Sequence, residues 1–279
     1  MKQILSIIAM NLMLLSVSFS QPRNVYDIYA LEYLKGSSRT PASVIAPGAD
    51  PKDSVDFSYF IWYLNGDNGR KVLVDAGMLE DRTKSSNYLN YVRPDLMLKR
   101  INVNVNDITD IIITHPHSDH INGLELFPTG TIWMQKKDFA YFVGDAWQKG
   151  ANHLGLDKQD VKCIIQANLD GRLQLVDGDS IEIIPGIRVF IGSRHTFESQ
   201  HLLVDSNAGK VLLASDDSWF YYNSDHFLSI PLTSDKEAYA KELRRMKILV
   251  GDPRLIIPGH DALVLERFKK VAEGVVRIQ

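Results

Sequence analysis

Cysteine is nearly absent. The 279 residues contain one, Cys163, which excludes an intrachain disulfide and any zinc site built on several thiolates. Neither sign of charge dominates: 31 Lys and Arg stand against 34 Asp and Glu, for a formal net charge of −3. Binding nucleic acid needs a concentrated basic surface, and the sequence offers none. Also missing are a Ser/Gly linker, a low-complexity tract and a short-period repeat, so nothing divides the chain or points to a solenoid. What is present, 45% apolar and 23% charged residues, is ordinary for a folded globular protein.

One apolar run stands out, at the start. Residues 1–20 open with Lys2, run apolar from Ile4 to Phe19, and place Ser18 and Ser20 just before Gln21. A charged tip, an apolar stretch and small residues at the cut describe a secretory signal peptide. Asn11 and the serines interrupt the run, and a membrane span needs about 20 apolar residues. The expectation is one domain over residues 21–279, periplasmic or secreted. It would act on a small-molecule substrate, with no stable membrane anchor after cleavage.

Strands are expected at Val25–Tyr33, Phe57–Leu64 and Lys71–Val74, after which Ile111-Ile112-Ile113 reads as a strand buried on both faces. Further strands at 131–135, 173–176, 181–184 and 187–191 are set off by turn signals such as Pro185-Gly186. A hairpin follows at 202–214. Ser37–Ser54 reads as a loop and residues 81–100 as partly helical. Ser234-Asp235-Lys236-Glu237 reads as a capping box opening a helix with Tyr239, Leu243, Met246 and Val250 on one face. A strand at 255–257 then leads to a last helix carrying Leu263, Arg267 and Val271.

The chemistry concentrates in His115-Pro116-His117-Ser118-Asp119-His120, where the buried strand ends. Three imidazoles and a carboxylate in six residues supply the nitrogen and oxygen donors that zinc and similar ions prefer. On a loop, such residues can point to two centres. His195, Asp216 and His260 each lie just past the end of an apolar strand, where loops gather at a common edge.

This pattern, HxHxDH and then a distant His, an Asp and a final His, resembles the metallo-β-lactamase superfamily. The likeness covers nearly all of residues 21–279, including the strand end Val74-Asp75-Ala76-Gly77. It implies an α/β fold, a four-layer αβ/βα sandwich, with two Zn2+ ions at the sheet edge (Mn, Fe or Co suit the same donors). By position, His115, His117 and His195 would hold one ion, Asp119, His120 and His260 the other, and Asp216 would bridge them. The resemblance implies hydrolysis by a hydroxide held between the ions, with Asp119 orienting it or carrying its proton, and Asp75 holding a ligand imidazole.

Within the superfamily, β-lactamases usually carry Cys or Ser where this chain has Asp216, whereas lactonases, glyoxalase II-like thioesterases and phosphodiesterases keep Asp. The N-acyl homoserine lactonase-like branch is the best match, on His195-Thr196, Leu202-Leu203-Val204, Leu212-Leu213, Tyr26–Leu31 and Tyr59-Phe60-Ile61-Trp62. That implies opening of a lactone such as an N-acyl homoserine lactone. One departure is Trp219, at a place where such lactonases often have a Tyr that hydrogen-bonds the substrate. Tyr221 and Tyr222 are the nearby candidates for that catalytic role. Trp147 and Phe142 are candidates for an acyl pocket, and Gly144–Leu156 for a substrate loop. The alternatives are a β-lactamase or another ester, thioester or phosphodiester hydrolase, and, outside enzymes, a structural metal-binding module.

Overall fold

The computed structural model describes residues 24–84 and 87–278; the expected leader lies outside them. The first sheet is built from β1 (Tyr26–Gly36), β2 (Ser58–Gly66), β3 (Lys71–Val74), β4 (Asp110–Ile112), β5 (Thr131–Gln135) and β6 (Leu173–Val176). The second contains β7 (Ile181–Ile184), β8 (Ile187–Ile191), β9 (Gln200–Ser206), β10 (Gly209–Ser215) and β11 (Ile256–Pro258). The chain then returns to the first sheet with β12 (Lys269–Ala272) and β13 (Val275–Ile278), giving the order β12-β13-β1-β2-β3-β4-β5-β6. In the second sheet the order is β7 to β11, with β10 and β11 parallel.

The side chains show why the first-sheet strands read as continuous apolar runs. Phe60, Trp62, Leu64, Val72, Val74 and Ile112 face the second sheet. Their alternates Ile61, Tyr63, Leu73, Ile111 and Ile113 face helices. Both faces are buried, so a period of two is present but hidden, as covered sheets require. The helices on that outer side are α1 (Pro94–Lys99), α2 (Ser118–Ile121), α3 (Lys136–Val143) and α4 (Lys158–Leu169). On the far side, α6 (Lys236–Val250) packs Tyr239, Leu243 and Met246 onto the second sheet, after the short α5 (Tyr221–His226). Helices, sheet, sheet, helix: this is the four-layer αβ/βα sandwich.

Three local expectations need correction. The cap of α6 is Asp235, whose carboxylate accepts from Ala238 N at 2.9 Å; Ser234 Oγ instead donates to Arg194 O at 3.3 Å. The last helix, α7 (Leu263–Arg267), is short, and Val271 lies in β12, because the chain pairs with β13 as an antiparallel ribbon. Within Ser37–Ser54, Thr40–Pro41 pairs with Ser54–Val55 around one helical turn, Ala42–Ile45, whose Ala42 and Ile45 are buried. Removing the cap by Asp235→Ala should cost about 1 kcal/mol. That is a fall in melting temperature of about 2–4 °C for a domain of this size, read by calorimetry; no fall would show the helix end to be held by packing alone.

Candidate metal centre

Four strand ends converge on one rim. β3 and β4 run parallel, so Asp75 and Thr114 leave the sheet side by side. Asp75 adopts a left-handed backbone (φ 59°) and is fully buried. Its carboxylate accepts from Thr114 N at 2.8 Å and Thr114 Oγ1 at 2.9 Å, and it meets His120 Nδ1 at 2.8 Å. In the second sheet, parallel β10 and β11 deliver Asp216 and His260 together. Gly259 allows that approach, since a Cβ there would lie 2.6 Å from Ser215 O.

Most of the imidazoles are anchored by the nitrogen that faces away from the centre. His115 Nδ1 meets Thr114 Oγ1 at 3.0 Å, His195 Nδ1 lies 2.7 Å from Leu232 O, and His260 Nδ1 lies 3.1 Å from Ser58 O. With His120 on Asp75, four rings are thereby fixed with Nε2 pointing inward. His117 instead presents Nδ1, 2.9 Å from His195 Nε2, and Gly155 packs so closely on its ring that a Cβ would come within 2.8 Å of Cδ2. Partners of this kind orient metal-binding rings and fix their tautomers.

The structure brings all seven sequence-nominated ligands together. The donor atoms fall into two groups, His115, His117, His195 and Asp216, and Asp119, His120 and His260; within each group they lie within 4.8 Å of one another. Asp216 straddles the groups. Its Oδ1 is 3.0 Å from His260 Nε2 and 3.2 Å from His120 Nε2, while Oδ2 is 3.0 Å from His195 Nε2. Trp219 donates its indole N–H to that Oδ2 at 2.6 Å. Asp119 Oδ2 is 3.3 Å from His120 Nε2 and 3.6 Å from His260 Nε2.

The donors fit divalent cations. His115 Nε2 is buried without a hydrogen-bond partner, which is costly unless something else takes up its lone pair. Burial, then the neighbouring imidazoles, drives His115 well below its ordinary value, and burial, then His195, brings His117 to about 3. Both are therefore neutral ligands at physiological pH. Burial would lower His120 too, but Asp119, Asp216 and Asp75 outweigh it and hold it well above its usual value. Burial raises Asp119, yet His120 and His260 reverse this and bring it to about 2. Carboxylates clustered in this way favour positive charge between them.

A cavity of about 820 Å³ opens over the centre, with Tyr59, Asp119, Leu154, Phe197, Trp219 and Leu232 among its walls. Tyr221 and Tyr222 do not line it. Arg267 lies over the Tyr221 ring at 3.6 Å, and Tyr222 Oη bonds Asp53 at 3.2 Å: the helical turn at α5 directs both rings away from the metal-binding residues. Phe142 is fully buried against the outer helices, and Trp147 donates to Phe142 O at 2.6 Å, so neither reaches the cavity. Of the proposed substrate loop, residues 152 and 154–156 do.

The sequence-profile description "Metallo-beta-lactamase superfamily" matches residues 54–260. The chain belongs to the metallo-β-lactamase superfamily. It is a hydrolase of that superfamily. An N-acyl homoserine lactonase from Bacillus sp is 25% identical over 228 residues, covering 76% of this chain and 84% of the relative. Among metallo-β-lactamase folds of known structure, a quorum-quenching N-acyl homoserine lactone lactonase superposes with TM-score 0.70 at 22% identity, over 91% of this chain and 99% of that one. AidC, described as a dizinc quorum-quenching lactonase in complex with a product, superposes with TM-score 0.61 at 16% identity, over 92% and 98% of the two chains.

Several site residues carried no signal in the sequence. The carbonyls of Leu232 and Ser58 anchor two ligands through the backbone, which any residue could supply. Buried Asp138, on α3, accepts from Thr196 Oγ1 at 2.7 Å and Glu198 N at 3.1 Å, fixing the loop around His195. Burial lifts its carboxyl to about 6. Its helix gave no reason to look toward a loop some 60 residues on.

Proposed function

We propose that the protein is an exported hydrolase that opens N-acyl homoserine lactones or closely related acyl lactones, holding two zinc ions on the seven ligands. One observation carries the substrate reading: an apolar, aromatic cavity lies directly over the straddling Asp216. Phe197, Leu154 and Leu232 keep 49%, 67% and 43% of their surface exposed and gather at this single cavity. Scattered exposed apolar residues are ordinary, but a cluster at a concave site marks a ligand. Tyr141 and Phe197 stack with ring centroids 5.3 Å apart and planes 11° apart, forming a flat ledge suited to an alkyl tail. The relatives named as lactonases support the same choice.

Two divalent cations held by the seven ligands would lower the pKa of bound water towards neutrality and would polarise the carbonyl under attack. Asp119, ionised and lining the cavity, orients the attacking water, takes up its proton and returns it to the ring oxygen as the acyl–oxygen bond breaks. Asp216 fixes the two donor groups relative to each other. The tail lies along the Tyr141–Phe197 ledge.

The test is proton release by the zinc-loaded chain from a long-chain acyl homoserine lactone, a simple γ-lactone, a penicillin, phenyl acetate and a thioester. Acid from the lactones, abolished by chelation and restored by zinc, is the expected result. Turnover of the penicillin or thioester with silence on both lactones would overturn the lactone reading. On the ledge, Phe197→Ala should raise KM for a decanoyl lactone by about tenfold and change stability by less than about 0.5 kcal/mol. Equal KM changes for decanoyl and butanoyl substrates would remove the tail from this ledge.

A further inference from the structure

The metal-binding residues leave one role unfilled: a hydrogen-bond donor for the substrate's carbonyl oxygen on the side facing the cavity. Trp219 cannot serve, because the indole has a single N–H and Asp216 Oδ2 takes it at 2.6 Å. Tyr221 and Tyr222 face elsewhere. Among the described residues, two phenols line the cavity, Tyr59 and Tyr141. Tyr141 donates its hydroxyl to Asn152 O at 2.8 Å. Tyr59 is left.

Its position is fixed by the residue before it. Ser58 N donates to His260 O at 2.9 Å, and Ser58 O receives His260 Nδ1 at 3.1 Å. The start of β2 is thus locked to a metal-binding residue through both backbone groups of Ser58. Tyr59 follows at once, with its ring edge-on to the His260 imidazole and the centroids 4.9 Å apart. Tyr88 packs edge-on against Tyr59 with centroids 5.6 Å apart.

We propose that Tyr59 is a catalytic residue whose hydroxyl donates a hydrogen bond to the substrate's carbonyl oxygen as that oxygen gains negative charge. The proton stays on the phenol, and no bond to Tyr59 forms or breaks. A donor held in advance where charge develops is worth more than one that must reorganise. The assignment rests on the reading of the site as one that cleaves acyl compounds; neither the lactone ring nor the tail enters it.

The experiment compares Tyr59→Phe with the zinc-loaded parent on every acyl substrate of the panel that the parent turns over. Expected is a fall in kcat of about 10²-fold on each, with KM within about threefold and both zinc ions retained by elemental analysis. Tyr222→Phe, which removes a hydroxyl outside the cavity, should keep kcat within about threefold. Unchanged kcat in Tyr59→Phe would overturn the proposal. So would a loss confined to KM, which would make Tyr59 a wall of the pocket, or a loss of kcat that tracks lost zinc. Silence on lactones with turnover of phenyl acetate or the thioester would sink the lactone reading while leaving Tyr59 testable on those substrates. Silence on every acyl compound would overturn both.

Discussion

In the zinc-loaded protein, Asp216→Ala is expected to lower turnover by about 10³-fold or more, while the chain remains folded and its metal content falls by half or more. The magnitude follows from charge stabilisation by metal ions, worth several kcal/mol, with each 1.36 kcal/mol a factor of ten in rate. The cause is geometric: one carboxylate oxygen serves His120 and His260 while the other serves His195, so no other side chain can replace it. The backbone at this position is held independently, since Tyr239 Oη donates to Asp216 O at 3.1 Å, and that bond survives the substitution. Left behind is the Trp219 N–H, buried without its acceptor, at a cost of about 1–3 kcal/mol. Activity, elemental zinc and a denaturant midpoint on one preparation decide the matter. If rate and fold collapse together, the ions serve the architecture; if the variant keeps more than a tenth of the parent rate, Asp216 is not shared between them.

Asp75→Ala should be the most destabilising single change near the site, by about 3–5 kcal/mol, the usual loss when one partner of a buried charged pair is removed. Three donors lose their acceptor at once: Thr114 N, Thr114 Oγ1 and His120 Nδ1. Thr114 also holds His115 and Ser215, so the damage spreads to both sheets. The milder Asp75→Asn keeps the shape and should weaken zinc binding by 10–100-fold, the typical effect of altering the partner behind a ligand. Urea denaturation of the alanine variant and competition with a chelator for the asparagine variant give the two numbers. A stability loss below about 1 kcal/mol would mean that the surrounding hydrogen bonds re-form without the carboxylate.

The contrast between Asp75 and Leu232 shows what sequence can carry. Asp75 ends an apolar strand in a short turn, and a carboxylate at a strand end invites a partner, so its pairing with an imidazole was legible. Leu232 performs the equivalent service for His195 through a carbonyl, and its side chain says nothing of that. The seven clustered donors were readable because each is chemically distinctive and sits just beyond a strand. The rings at 221 and 222 were not, because sequence proximity to Asp216 does not fix direction: one helical turn carries them out of the cavity. Tyr59 lies more than 150 residues from Asp216 along the chain and reaches the same cavity through the packing of two sheets. The strand at 269–272 was mistaken for helix because its apolar spacing suits either, and only pairing with β13 decides it.

β13 lies between β12 and β1, with Ile28 opposite Ile278 and Leu31 opposite Val275. During synthesis one edge of β1 therefore stays open until residues 275–278 have emerged, on the order of tens of seconds at roughly 5–20 residues per second. Over that interval the nascent chain presents an apolar strand with unpaired backbone, which invites pairing with a neighbouring chain. His260, the last ligand to be synthesised, appears within the same interval. Completion of the sheet and completion of the ligand set are thus neighbouring late events.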